Sequence, residues 1–354
     1  MNYFSQSPTQ NIISSSSRFL AGYVSVSIGV LLSAGGGSWD INNHLLNKPE
    51  TFFALPHAVL YSGAGAVVTG AVILFRTSRR TGKIIRPIKL VVAGMIMLVV
   101  AGPIDFAWHS AYGLDGLLSP PHFVLVNGMI ASSAGALAGM VYHSSMAFRK
   151  PRLSSPLIIV GMLPVWLATS GMVDMLSLPF SHTGYFDFDP HPVLAVAVAT
   201  LAFPFLMSLV AHSSSTLAGR RFGIVSLVGG AFIVTNMLTS IVPNDALLPT
   251  IPFYAANIIP FIAADVLLSF SKSRISSYAA GAVIGIAFFT LYYPLITYTY
   301  YEVLEQKNLW PSLIALTYFK MIGTVLPLVI APAAALGILG AMASDMLILK
   351  NKAL

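Results

Sequence analysis

The chain contains no cysteine among its 354 residues. That excludes disulfides, thiolate metal ligands, haem attachment through C-x-x-C-H and cysteine nucleophiles. Any metal must then be held by imidazole, carboxylate, amide or thioether groups. Charge is also scarce. Charged residues make up 9% of the chain against 56% hydrophobic, and mean hydropathy is +0.79. No polar stretch is long enough to bury a core of its own. Long apolar runs recur instead, which is the pattern of an all-α integral membrane protein in contact with the lipid bilayer.

The charges that remain are sorted. The net charge of +7 would suggest nucleic acid in a soluble protein. Here the positive residues cluster at one end of successive apolar hairpins: Arg76, Arg79, Arg80, Lys83, Arg86 and Lys89, then Arg149, Lys150 and Arg152, then Arg220 and Arg221, then Lys272 and Arg274, then Lys350 and Lys352. This is the positive-inside pattern, so the basic end reads as cytoplasmic and nucleic acid is not expected as a partner. Residues 1–16 lack the basic start, apolar core and cleavage site of a signal peptide and read as a polar cytoplasmic tail. Residues 17–349 read as one transmembrane domain of about ten helices. Expected spans are roughly 19–38, 55–75, 88–108, 120–147, 155–178, 190–214, 222–242, 251–271, 276–298 and 321–346. Ten spans put both termini in the cytoplasm of a multi-pass cell-membrane protein. Ten of the twelve acidic residues then fall at the outer end, the exceptions being Asp265 and Asp345.

The chain is organised around the stretch D-F-A-W-H-S-A-Y-G-L-D-G-L-L-S-P-P-H, residues 105–122. Asp105 and His109 are four apart, on one face of a helix. Pro120 and Pro121 break the chain before His122, which opens the next apolar run. Two imidazoles and a carboxylate from two helix ends make a workable set for one transition metal. Asp40, His44 and His57 repeat both spacings, and Pro56 again precedes the last histidine. Asp174, Leu178 and His191 form a partial third copy, and Asn236, Ser240 and Phe253 a nearly erased fourth. The recurrence reads as an internal repeat of about 62–69 residues, near 40–57, 105–122, 174–191 and 236–253. The complete sets fall near the extracytoplasmic face. Intramembrane ionisable groups are costly, and usually mark a function.

The segment Asp105-x-x-Trp108-His109, then Asp115, then Pro120-x-His122 resembles the copper-site motif of the C subunit of copper membrane monooxygenases, the particulate methane and ammonia monooxygenases. The resemblance covers about 18 residues. It implies a copper ion on Asp105, His109 and His122, dioxygen-dependent hydroxylation, and partner subunits in a homo- or hetero-oligomer. The family carries a second set, an asparagine and two histidines, one repeat downstream. Here the downstream repeat is incomplete and the upstream one, Asp40/His44/His57, is full. Substrate is therefore not carried over.

The donor set alone leaves zinc and non-haem iron open beside copper. Asp115 reads either as a carboxylate orienting a metal-bound imidazole or as a turn residue between Gly113 and Gly116. Asp174 and His191 read as a remnant or partial site. Trp39 and Trp108 suit the membrane interface. His143 and His212, near the basic end, read as structural, and Asp265 is expected to pair with Lys272 or Arg274. Three functions fit: a copper-dependent enzyme hydroxylating a small apolar substrate, a non-catalytic metal-binding or assembly subunit, and a metal or ion transporter. One-sided ligands and the absence of a broken helix pair at the midplane in this reading argue against transport.

Overall fold

Proline sets the start of several helices. Its fixed φ and missing N–H suit a first turn, and Pro56, Pro87 and Pro192 all occupy one. The computed structural model describes residues 8–46, 51–82, 84–113, 117–148, 153–177, 191–271, 273–296 and 326–350, together with Lys48, Thr299 and residues 323–324. The helices are α1 (Pro8–Leu45), α2 (Leu55–Arg80), α3 (Arg86–Tyr112), α4 (Pro120–Phe148), α5 (Ser155–Ser177), α6 (Pro192–Leu217), α7 (Ile224–Ile241), α8 (Ile251–Ala256), α9 (Ile259–Phe270), α10 (Arg274–Ala287) and α11 (Leu326–Lys350). Among the described residues there is no strand. Ten stretches of the described residues are long and apolar enough to cross a membrane, and each coincides with one span expected from the sequence.

The first span departs from expectation at both ends. Helix α1 is already formed at Pro8 and runs through Gly35-Gly36-Gly37 to Leu45, instead of ending near residue 38. Of the three, Gly36 serves proximity, and none of them stops the helix. A Cβ on Gly36 would strike the backbone of Pro56 and Leu60 in α2. Asp40 and His44 are consequently held on rigid helix.

Two hairpins carry the first half. In α1/α2, Gly29 and Gly63 press against each other's backbone, and in α3/α4 Gly94 and Gly128 do the same. The second pair follows the first at the same offset that separates Asp105 from Asp40. Lipid tails are as apolar as leucine, so helices in a bilayer associate through such close packing more than through burial. Helix α1 is central and also packs on α4, α5 and α7. Its end is fastened to α7: the Asn42 amide donates to the Thr239 carbonyl at 3.2 Å, and Lys48 Nζ donates to the Pro243 carbonyl at 2.6 Å.

The second half is less regular. The eighth span is a 3-10 turn (Asp245–Thr250), then α8, then α9, interrupted at Asn257–Ile258 before Pro260. The ninth passes from α10 into a π-helical turn, Phe288–Tyr292. The two irregularities meet, since the Asn257 amide donates to the Leu291 carbonyl at 3.3 Å. A side-chain amide thus ties the break in the eighth span to the π-helical turn of the ninth. The sequence reading places no such break here.

Asp265 has no ion pair with Arg274 among the described residues, and Lys272 lies outside them. Fully buried, its carboxylate accepts from the N–H groups of Gly223 and Ser226 and from the hydroxyls of Ser226 and Ser269. It therefore caps the start of α7 from a neighbouring helix, where the unpaired N–H groups and the helix dipole favour a negative charge. His212 is structural, bonded to the carbonyls of Ser208 and Ser277 at 2.9 Å each. His143 stacks on Phe19 with ring centres 4.5 Å apart.

Candidate metal centre

The antiparallel run of α1–α4 brings the C-terminal ends of α1 and α3 beside the N-terminal ends of α2 and α4. Arg79, Arg80 and Arg86 lie at the opposite ends of these helices. Among the described residues, two groups able to hold a metal ion form where the sequence predicted them: Asp40/His44/His57 and Asp105/His109/His122.

In the first cluster one carboxylate oxygen meets both imidazoles. Asp40 Oδ2 lies 3.2 Å from His44 Nε2 and 3.0 Å from His57 Nε2. Both rings are buried. His57 Nδ1 donates to the Thr51 carbonyl at 3.0 Å. In a neutral imidazole that leaves the Nε2 lone pair aimed at the carboxylate, and lone pairs at this distance repel unless a cation or proton lies between them.

The second cluster leaves its atoms less satisfied. His109 Nδ1 donates to the Gly113 carbonyl at 3.2 Å, which presents its Nε2 lone pair inward. That nitrogen faces His122 Nε2 at 3.2 Å. Asp105 Oδ1 completes a triangle, 3.5 Å from His109 Nε2 and 3.2 Å from His122 Nε2. One proton can bridge the two nitrogens, but Asp105 Oδ1 and His122 Nδ1 then remain buried without a hydrogen bond. Buried polar atoms are seldom left so. Donor atoms about 2 Å from a tetrahedral ion lie about 3.3 Å from one another, which is the size of this triangle.

The two clusters adjoin. The rings of His44 and His109 have centres 5.2 Å apart, and a cavity of about 160 Å³ opens beside them. Asp40, Asp105, Asp174 and Asn236 all line it. These are the leading positions of the four spacings found in the sequence. The sequence did not reveal that they share one chamber. The available signal was the matching glycine register of the two hairpins, which fixes Asp105 relative to α4 as Asp40 is fixed relative to α2.

His191 and Phe253 are not gathered there. His191 is exposed, and its Nδ1 accepts from the Val193 N–H as the cap of α6. Asp174 is on the cavity wall without it. Phe253 packs against the hydrophobic core. Asp115 and Leu178 lie outside the described residues, as does the loop that carries His182, Asp187 and Asp189. Trp108 packs on Tyr112, with ring centres 4.8 Å apart.

Comparison of the chain with protein-family models, with curated proteins and with solved structures finds no match. The geometry therefore stands on its own: a membrane-helical protein with two adjoining Asp/His/His groups able to hold metal ions.

Proposed function

We propose that this protein binds two transition-metal ions, copper first among them, and supports dioxygen-dependent hydroxylation of a small substrate that partitions into the membrane. The observation that carries the reading is the Asp105/His109/His122 triangle, whose three donor atoms converge at 3.2–3.5 Å and whose Asp105 Oδ1 is buried without a hydrogen bond. With each ion about 2 Å beyond its Nε2 atoms, the contact between His44 and His109 keeps the two ions within about 12 Å. The chain's residues do the positioning. Thr51 and Gly113 fix the tautomers of His57 and His109, and the helix register presents each carboxylate to two imidazoles. Copper bound there would supply one-electron and dioxygen chemistry; zinc or iron would suit the same donors. The resemblance over residues 105–122 to the monooxygenase C subunit supports copper. It also supports an assembly with partner subunits, in which this chain is either the oxidising subunit or a metal-holding one.

The basic helix ends set the orientation in this reading, with both termini cytoplasmic and the metal groups toward the outer face. The recurrence of one spacing four times, with all four leading residues on one cavity, supports descent from a repeated hairpin. The interrupted eighth span favours a second reading, metal transport, because transporters build sites from broken helices. Elemental analysis of detergent-purified protein after copper loading tests the first reading. Two copper ions per chain, falling to one in the His109→Ala/His122→Ala variant, are expected. Protein that stays metal-free after loading overturns it. Copper uptake into sealed proteoliposomes would move the assignment to transport.

A further inference from the structure

The cavity beside the metal groups has a second polar wall that metal binding does not use. Asp174 lies there among Ser170, Asn236, Thr235 and Thr239, contributed by α5 and α7. Most of the donors of this wall are already committed. The Asn236 amide donates to the Phe232 carbonyl at 2.8 Å, Thr235 to Ala231 at 2.8 Å, and Thr239 to Thr235 at 3.1 Å. What they turn to the cavity is acceptor oxygen. The Asp174 carboxylate adds more, with no hydrogen-bond or ion-pair partner among the described residues. Ser170, 5% exposed, lines the same cavity, and its hydroxyl has no hydrogen-bond partner. A wall rich in acceptors, with one unpaired carboxylate, calls for a cation that brings its own N–H donors.

The rest of the lining is apolar, including Leu60, Leu117, Leu125, Val126 and Met129. A cavity of about 150 Å³ holds a molecule the size of benzene, roughly six non-hydrogen atoms. We propose that this chamber binds a short primary alkylammonium, its head on Asp174, Asn236 and Ser170 and its tail among the leucines beside Asp105 and His122. A bare alkali ion would use the oxygens but not the apolar wall, and a short alcohol would leave the carboxylate unpaired. The proposal goes beyond metal binding and does not depend on it.

The test uses full-length protein in detergent, stripped of metal with EDTA so that no amine ligates an ion. Thermal unfolding is followed while n-butylammonium chloride is titrated in, against 1-butanol and sodium chloride. A saturable rise in melting temperature with butylammonium alone is expected. Asp174→Asn should raise the half-saturating concentration roughly tenfold or more. Gly171 also lines the cavity and has open space where a Cβ would stand, so Gly171→Leu should fill the chamber and abolish the effect without disturbing Asp174 or the fold. The proposal is overturned by no saturable rise in the wild type, by an equal rise with sodium chloride or 1-butanol, or by a rise that survives both substitutions. Copper content, measured separately on both variants, should match the wild type. Copper loss in every protein would count against the metal reading and leave the amine result standing.

Discussion

The first four helices and the five spans from α5 to the π-helical turn meet the same sequence spacing with different outcomes. In α1–α4 the backbones of each hairpin touch at paired glycines, and the imidazoles arrive at their carboxylates. In the second half Asp174 and Asn236 still reach the shared cavity. His191, however, has become an exposed helix cap, and Phe253, standing where a histidine would be, packs into the core. Helices there are interrupted and held by side chains, Asp265 on α7 and Asn257 on the π-helical turn. The complete Asp/His/His groups stand on the two hairpins whose helices touch at paired glycines, and the other two copies have lost ligand residues as well as that contact.

That comparison breaks most severely if the glycine contacts are filled. Gly63→Leu and Gly128→Leu should each cost about 3 kcal/mol or more, because the new side chain meets backbone that cannot yield. Gly65 has nothing near its Cβ position, so Gly65→Leu should leave the melting temperature unchanged in the same thermal scan. In the second half, Asp265→Ala should cost roughly 3 kcal/mol by stranding the buried N–H groups of Gly223 and Ser226. Chemical denaturation reports it, with metal content per folded molecule unaltered. The paired substitutions His44→Ala/His57→Ala and His109→Ala/His122→Ala should each remove one of two bound ions and leave the fold intact, as read by metal analysis beside circular dichroism. Smallest of all, His191→Ala should change metal content not at all and cost under about 1 kcal/mol, the scale of a single helix cap.

Much of this arrangement is legible in the sequence. Length and polarity of the apolar runs mark all ten spans, because a bilayer imposes one length on every crossing helix. The spacing of four, then thirteen with proline before the last histidine, marks both ligand sets, because helix periodicity and a proline start are local rules. What needs the third dimension escapes. Gly35, Gly36 and Gly37 look like a helix end, but the helix runs through them and Gly36 marks where α2 comes close. Asp265 looks like a partner for nearby basic residues, but most of its donors, from Gly223 and Ser226, lie some forty positions away at the start of α7. The contact of His44 with His109, and the meeting of Asp174 and Asn236 at one cavity, depend on how hairpins pack side by side, which no spacing within a hairpin encodes.

The central claim is that two ions sit side by side, one in each hairpin. Electron paramagnetic resonance of the copper(II)-loaded wild type tests it most directly. Two spins within about 12 Å predict a dipolar-broadened spectrum in the wild type, with a single narrow copper signal remaining in either histidine double variant. A wild-type spectrum of isolated copper(II), identical to that of the variants, would contradict it.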